Sequence, residues 1–435
     1  MKRYAMMQLE EWNSGAKRIP LVIRGARQVG KTWLMQEFGS SHFKKTVYIN
    51  FDNNQRMKTL FEGDYDISRI IMGLEIESGQ NIRPEDTLLV FDEIQEAPRA
   101  MSSLKYFNEN APQYAVVAAG SLLGVALHEG TSFPVGKVDF LDLYPMSYLE
   151  FLEATGNEKL VKLLYSQDWE LIKAFREKYI DLLRQYYFVG GMPEAVEAYT
   201  TSGMNVIRRI QTRLLESYEQ DFSKHAPNDT VPRIRMLWDS IPAQLAKENK
   251  RFLYSAVRKG SRAKDYELAL QWMLDCGLVH KVSRVTKPGM PMSAYEDKAF
   301  KLYMMDVGML GAKSGLDVKS LLDGNRIFEE FKGALTEQFV QQEMRAMCGI
   351  TPFYWSSDKG NAEIDFLFQL GMNTIPVEVK AEENLRSKSL RSFSERFTPE
   401  LCVRTSMSDF REESWLTNVP LYAIGLISSI LDNSR

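Results

Sequence analysis

An α/β fold led by a parallel sheet, followed by a helical and winged-helix-like middle region and a second α/β region, is predicted by three features of this 435-residue chain. Short apolar runs alternate with helical stretches from residue 21 to 119, as in a parallel sheet covered on both faces. Helical periodicity then dominates from about 153 to 225. Period-two strands return in AEIDFLF and IPVEVK near the C-terminal end.

The strands of the first region are expected at 21–24, 46–51, 87–92 and 114–119, with a helix from about 31, a mixed helical segment over 54–77 and a helix over 99–110. TVYINF ends in Asp52, Asn53 and Asn54, a buried strand with a polar exit, and Pro98 marks a helix start. Tyr114–Gly120 leads into Ser121 and the apolar LLGVAL, which reads as a helix. After Pro134, VGKVDFLDLYPMSYLEFL alternates and then turns helical.

The segment LVIRGARQVGKT, Leu21 to Thr32, joins an apolar strand to a complete G-x-x-x-x-G-K-T motif. Backbone N–H groups of such a loop converge on a phosphate, and the helix beginning near Lys31 adds the positive end of its dipole. The expected nucleotide contacts are Gly25, Ala26, Arg27, Gln28, Val29, Gly30, Lys31, Thr32 and Trp33, with Lys31 reaching the terminal phosphates and Thr32 holding Mg²⁺. TLLVFDE, residues 87–93, is a buried strand ending in two carboxylates: Asp92 suits the Mg²⁺ shell, and Glu93 is the candidate base that polarises the attacking water. Ser121 fits either a polar sensor of the terminal phosphate or an N-cap of the next helix. Lys137 after Gly136 is either a basic contact to nucleotide, in its own or a neighbouring subunit, or a solvated turn residue.

Composition bounds the rest. The chain is 44% hydrophobic and 26% charged, as folded proteins are, and its length suggests two to four domains. A formal charge of -3 excludes a global basic field, though residues 205–262 are locally rich in Arg and Lys. Cys276, Cys348 and Cys402 have neither metal nor disulfide-framework spacing and fit a reducing cytoplasm. No stretch reads as a signal peptide or membrane span.

In the middle region, Gly190-Gly191-Met192-Pro193 breaks two helices by a sharp turn. Residues 231–285 read as three short helices and a strand pair, with Arg262 and Lys264 ahead of the third helix. Such a unit either places that helix in a DNA major groove or packs against protein. Further on, Glu337 lies in a helical stretch, while Glu363 with Asp365, and Glu378 with Lys380, each share one strand face. Carboxylates around a lysine suit Mg²⁺-dependent phosphodiester cleavage; equally, they suit the charged solvent edge of a mixed sheet.

Taken together, GARQVGKT, LLVFDEIQ, AAGSLL, YFVGGMPEAV and EIDF with VEVK resemble a prokaryotic family of the DUF4143 type. Its members join an AAA-like P-loop ATPase to a restriction-endonuclease-like C-terminal domain. The resemblance implies ATP as ligand, Walker A positions at Gly25, Gly30, Lys31 and Thr32, a Walker B pair at Asp92 and Glu93, and a sensor at Ser121. It also implies a nuclease-like set at Glu337, Asp365, Glu378 and Lys380. The implied domains are 1–152 ATPase, 153–229 helical, 230–290 winged-helix-like and 291–435 nuclease-like. Relatives carry Gly-Arg where this chain has Gly136-Lys137, and a lysine cannot form the guanidinium fork of an arginine finger.

Three functions follow as expectations: a Mg²⁺-dependent ATPase that rearranges the C-terminal modules, a nucleotide-controlled switch binding double-stranded DNA or a protein, and an ATP-gated nuclease. Monomer, dimer and ring all fit the sequence.

Overall fold

The computed structural model describes residues 1–433 other than 16, 122–133, 135, 248–249, 318–325, 358–361 and 382–386, and in the helix Arg326–Cys348 the side chains from 331 onward. The LLGVAL segment expected to be helical lies outside the described residues. The chain divides into two compact units, Met1–Tyr144 with Asp275–Gly277, and Pro145–Leu274 with Leu278–Arg435.

In the first unit, β1 (Leu21–Arg24), β2 (Lys45–Asn50), β3 (Thr87–Asp92), β4 (Ala115–Ala119) and β5 (Asp139–Asp142) form one sheet in the order β2-β3-β4-β1-β5. Every pairing is parallel. β3 and β4 are buried along their whole length, which explains their unbroken apolar character. Phe91 packs edge to face on Phe51, Phe61 and Phe107, at centroid separations of 5.9, 5.7 and 6.1 Å. Pro98 occupies the first turn of the helix Pro98–Asn110, and the mixed segment resolves into two helices, Gln55–Glu62 and Ile67–Ser78. Because all five strands run the same way, the loops after β1, β3 and β4 open at one edge. There the glycine loop, Glu93 and Ser121 come together.

Lys137 sits at the other edge. It precedes β5, whose first residue Asp139 pairs with Leu21 at the start of β1, and its ammonium is 2.8 Å from Glu109 at the end of the helix Pro98–Asn110. The sheet therefore separates Lys137 from the glycine loop of its own chain. This corrects the expectation that it contacts its own nucleotide.

The second unit begins with helices that include Tyr148–Ala154, Arg176–Val189, Pro193–Ser202 and Ile207–His225. The Gly190-Gly191 break is steric as well as conformational. Gly190 has φ +72°, and a β-carbon there would fall 2.2 Å from the Asp306 carboxylate; one on Gly191 would fall 2.0 Å from the Met146 carbonyl oxygen. The Gly191 N–H donates to Asp306 Oδ2 at 2.6 Å, so the glycines let backbone cover a fully buried carboxylate.

An eight-stranded mixed sheet follows. Its strands are β6 (Val279–Val285), β7 (Glu296–Met304), β8 (Phe353–Ser356), β9 (Glu363–Leu370), β10 (Asn373–Val379), β11 (Cys402–Ser406), β12 (Arg411–Glu412) and β13 (Leu416–Pro420). Their order is β12-β13-β11-β10-β9-β8-β6-β7. The winged-helix elements are present as the helices Val231–Leu245, Tyr254–Val257 and Glu267–Asp275 with the antiparallel pair β6 and β7. The wing is not free-standing, because β6 also pairs with β8 through Arg284 and Tyr354. The divisions expected at 229/230 and 290/291 thus fall inside one unit, and β7 lies beyond the second of them.

Candidate functional site

The glycine loop has the backbone its sequence requires. Gly25 has φ +147°, and a β-carbon on it would meet the Leu143 carbonyl oxygen at 2.2 Å; Gln28 and Gly30 lie at φ +64° and +96°. Gly30 is the N-cap of the helix Lys31–His42, whose first-turn N–H groups open toward the loop. Arg3, buried ahead of the first strand, holds the loop from below: its guanidinium donates to the Val29 and Tyr144 carbonyls, each at 2.7 Å.

Lys31 is 7% exposed and donates to the carbonyls of Gly25 at 2.9 Å and Ala26 at 2.8 Å. Burial pushes its ammonium down to about 8, against the opposing charges of Glu93 and Asp92. These loop carbonyls are neutral partners that a phosphate oxygen can replace with a charged one.

Asp92 is also buried. Its Oδ2 accepts from the Thr32 hydroxyl at 2.6 Å and the Tyr48 phenol at 2.8 Å, while Oδ1 accepts from the Glu93 N–H at 3.0 Å. The neighbouring Thr32 and Asp92 oxygens are hard ligands of the kind magnesium takes, with water completing the shell. They fit that ion. Glu93 adopts the left-handed conformation at φ +49°, which turns its side chain out of the strand direction. Its Oε2 accepts from Gln95 at 2.6 Å and from Ser121 at 3.1 Å. Ser121 reaches this acid because β4 stands between β1 and β3. Gln95, Tyr48 and Arg3 were missed by sequence reasoning; for Gln95 the signal was its place two residues after Glu93. Trp33 is 39% exposed on the first helical turn.

The C-terminal residues gather differently from the expected set. Glu337 and Asp365 do come together, with Glu363, but around Lys301 of β7: Nζ is 2.6 Å from Glu363, 3.4 Å from Glu337 and 3.8 Å from Asp365. Lys250 pairs with the other oxygen of Glu337, while Tyr303 donates at 3.0 Å to the oxygen that faces Lys301. Glu378 instead pairs at 2.9 Å with Lys380, the residue just past the end of its strand. Among the described residues no group of three or more His, Cys, Asp or Glu is arranged to hold a metal ion. Lys301 is not singled out by the sequence, and Lys250 figures there only as one of the basic residues of 205–262.

Comparison with known proteins assigns the class of the first unit. Residues 17–152 match an AAA domain, residues 180–320 a domain of unknown function (DUF8612), and residues 332–424 a domain of unknown function (DUF4143). The chain therefore carries an AAA-type P-loop NTPase domain, which implies nucleotide binding, and a distinct C-terminal α/β domain. No protein of curated function matches the sequence significantly. Among solved structures, a Walker-type ATPase of Pyrococcus abyssi is similar at 15% identity and TM-score 0.44, over 72% of this chain and 95% of that one. The Aeropyrum pernix Orc1 protein, solved in complex with DNA, matches at 13% identity and TM-score 0.29, over 71% and 91%. Cdc6p from Pyrobaculum aerophilum matches at 11% and 0.25, over 74% and 93%. No helix among the described residues is long and apolar enough to cross a membrane.

Proposed function

We propose that this protein is a Mg²⁺-dependent ATPase whose hydrolysis rearranges its C-terminal modules. The observation that carries the reading is the convergence of Lys31, Thr32, Asp92, Glu93 and Ser121 at one edge of one parallel sheet. Lys31 exchanges its loop carbonyls for the terminal phosphates, gaining a charged partner for an ammonium that burial disfavours. Thr32 and Asp92 would hold a magnesium ion, which would supply charge neutralisation to the phosphates. Glu93 orients the attacking water and accepts its proton; Ser121 and Gln95 fix that carboxylate through one oxygen, leaving the other to the water. ATP rather than GTP follows from the family resemblance.

The test is ATP turnover with Mg²⁺ by the wild type and Glu93→Gln, with and without double-stranded DNA. Turnover that collapses in the variant while ATP still binds supports the ATPase. No turnover by the wild type, with ATP bound, supports the nucleotide-controlled switch instead.

A DNA partner is the second reading. Arg262 and Lys264 are exposed just ahead of the helix Glu267–Asp275, and a 350 Å³ pocket is lined by Lys388, Arg391, Arg404 and Arg411 with one acid, Glu413, beside Arg411. These cations offset the net negative charge locally. Affinity for duplex DNA falling steeply with added salt supports this reading. The restriction-endonuclease-like identity of residues 291–435 is part of the proposal, supported by the antiparallel β9 and β10 carrying E-x-D and E-x-K beside parallel β11. A cytoplasmic location accords with three scattered cysteines that lack disulfide-framework spacing.

A further inference from the structure

Lys301 begins three strand steps from the acids it meets. It lies on β7, with β6 and β8 between that strand and β9, which carries Glu363 and Asp365 on one face. Its side chain is wholly buried and crosses Tyr354 of β8 with Nζ 5.0 Å from the ring centroid. Glu337 arrives from the helix Arg326–Cys348. An ammonium has three protons and accepts nothing; here the Glu363 and Glu337 oxygens lie at 2.6 and 3.4 Å, with Asp365 at 3.8 Å.

Glu337 has both oxygens committed, and Glu363 and Asp365 one each. Lys250 occupies one Glu337 oxygen, Lys301 and Tyr303 the other, and Asp365 Oδ2 accepts the Val379 N–H at 2.8 Å. A magnesium ion needs several oxygens near 2.0–2.1 Å in octahedral array. To enter here it would have to displace those donors while facing two ammonium groups at close range, inside a low-dielectric interior. The residues present do not fit the group.

We propose that Lys301 is the resident cation of the Glu337, Glu363 and Asp365 cluster, seconded by Lys250. The cluster is thereby a charge lock joining β7, β9 and the helix Arg326–Cys348, and takes no divalent ion. Lys301 and Glu337, each costly to bury alone, are buried together, with Glu363, Asp365 and Lys250 partly buried around them. The ATP-gated nuclease expected as one alternative therefore lacks a metal centre at Glu337, Glu363 and Asp365; Glu378, whose buried Oε2 has no hydrogen-bond partner, lies outside this cluster.

The test uses the full-length chain, nucleotide-free, in an Asp92→Asn background that silences the first site. Titration with Mn²⁺, read from the electron paramagnetic signal of the free ion, should show no saturable binding below about 1 mM, the weak end of protein carboxylate sites. Tighter saturable binding that disappears on adding Asp365→Asn would overturn the proposal. Lys301→Met should lower the melting temperature by several degrees; an unchanged value would also overturn it. Should that variant fail to fold, Glu363→Gln replaces it in a melting comparison with and without Mn²⁺. The parent should gain no Mn²⁺-dependent stability, and a gain that Glu363→Gln removes counts against the lock.

Discussion

Two buried lysines, one in each unit, stand beside two or more carboxylates yet serve opposite ends. Lys31 donates to two backbone carbonyls, and burial holds its ammonium down near 8. For Lys301 burial acts in the same direction, but Glu337, Tyr303, Glu363 and Asp365 outweigh it and raise the ammonium well above its ordinary value. The difference is in the partners. A cation resting on neutral carbonyls gains when a phosphate arrives; one already paired with carboxylates has nothing to gain. A lysine among acids is therefore a site only where its partners are exchangeable.

The comparison is broken most directly at the base of the first site. Glu93→Gln should reduce ATP turnover by about 10²- to 10⁴-fold while leaving ATP binding, because an amide can position water but not accept its proton. A steady-state phosphate-release assay checks this, and near-normal turnover would remove Glu93 from the chemistry.

In the second unit, Lys301→Met should cost about 3–5 kcal/mol, since it strands buried and partly buried carboxylates, whereas Arg184→Met, which breaks an exposed ion pair with Asp181, should cost about 0–1 kcal/mol. Chemical denaturation of both variants measures the contrast. Equal losses would mean that Lys301 is not a special cation.

A smaller effect sharpens the first site. Ser121→Ala removes one of the two donors on Glu93 Oε2 and should slow turnover by about 10-fold, roughly the 1.4 kcal/mol expected of one hydrogen bond to a charged group. An unchanged rate would leave the serine with capping alone.

The two lysines also differ in pH dependence. The folded-state value of Lys31 is lowered, so its contribution to stability is present above the unfolded value of 10.5 and is lost as pH falls through about 8. Phosphate prefers the protonated form, so ATP affinity should decline as pH rises beyond about 8, by at most about 10-fold per unit. Calorimetric ATP titrations across that range check it, and Lys31→Arg should flatten the decline because a guanidinium stays charged.

How far the site was legible follows from how local its parts are. Gly25 to Thr32 are contiguous, and the conformations and close approach that demand glycine there are written into the spacing. Asp92 and Glu93 sit at the end of a strand whose apolar run is plain. Tyr48 is invisible in the sequence because it is an ordinary strand residue until β2 carries it to Asp92, and Gln95 has only its place two residues after Glu93 to mark it. Lys137 is left open by the sequence for lack of a strand direction: only the pairing of Asp139 with Leu21 puts it at the far edge of the sheet from its own glycine loop. The helix expected after Ser121 lies outside the described residues.

By itself the sequence determined the parallel α/β unit, the phosphate loop, the acid pair and the same-face placement of Glu363 with Asp365, because all of these depend on neighbours within a few residues and on fixed backbone periodicity. Only the tertiary structure decided that β6 and β7 continue the C-terminal sheet, and that Lys301, three strands away, takes the centre of the acids. Strand order is set by which faces bury together across the whole chain, and no local spacing records which cation that order will deliver.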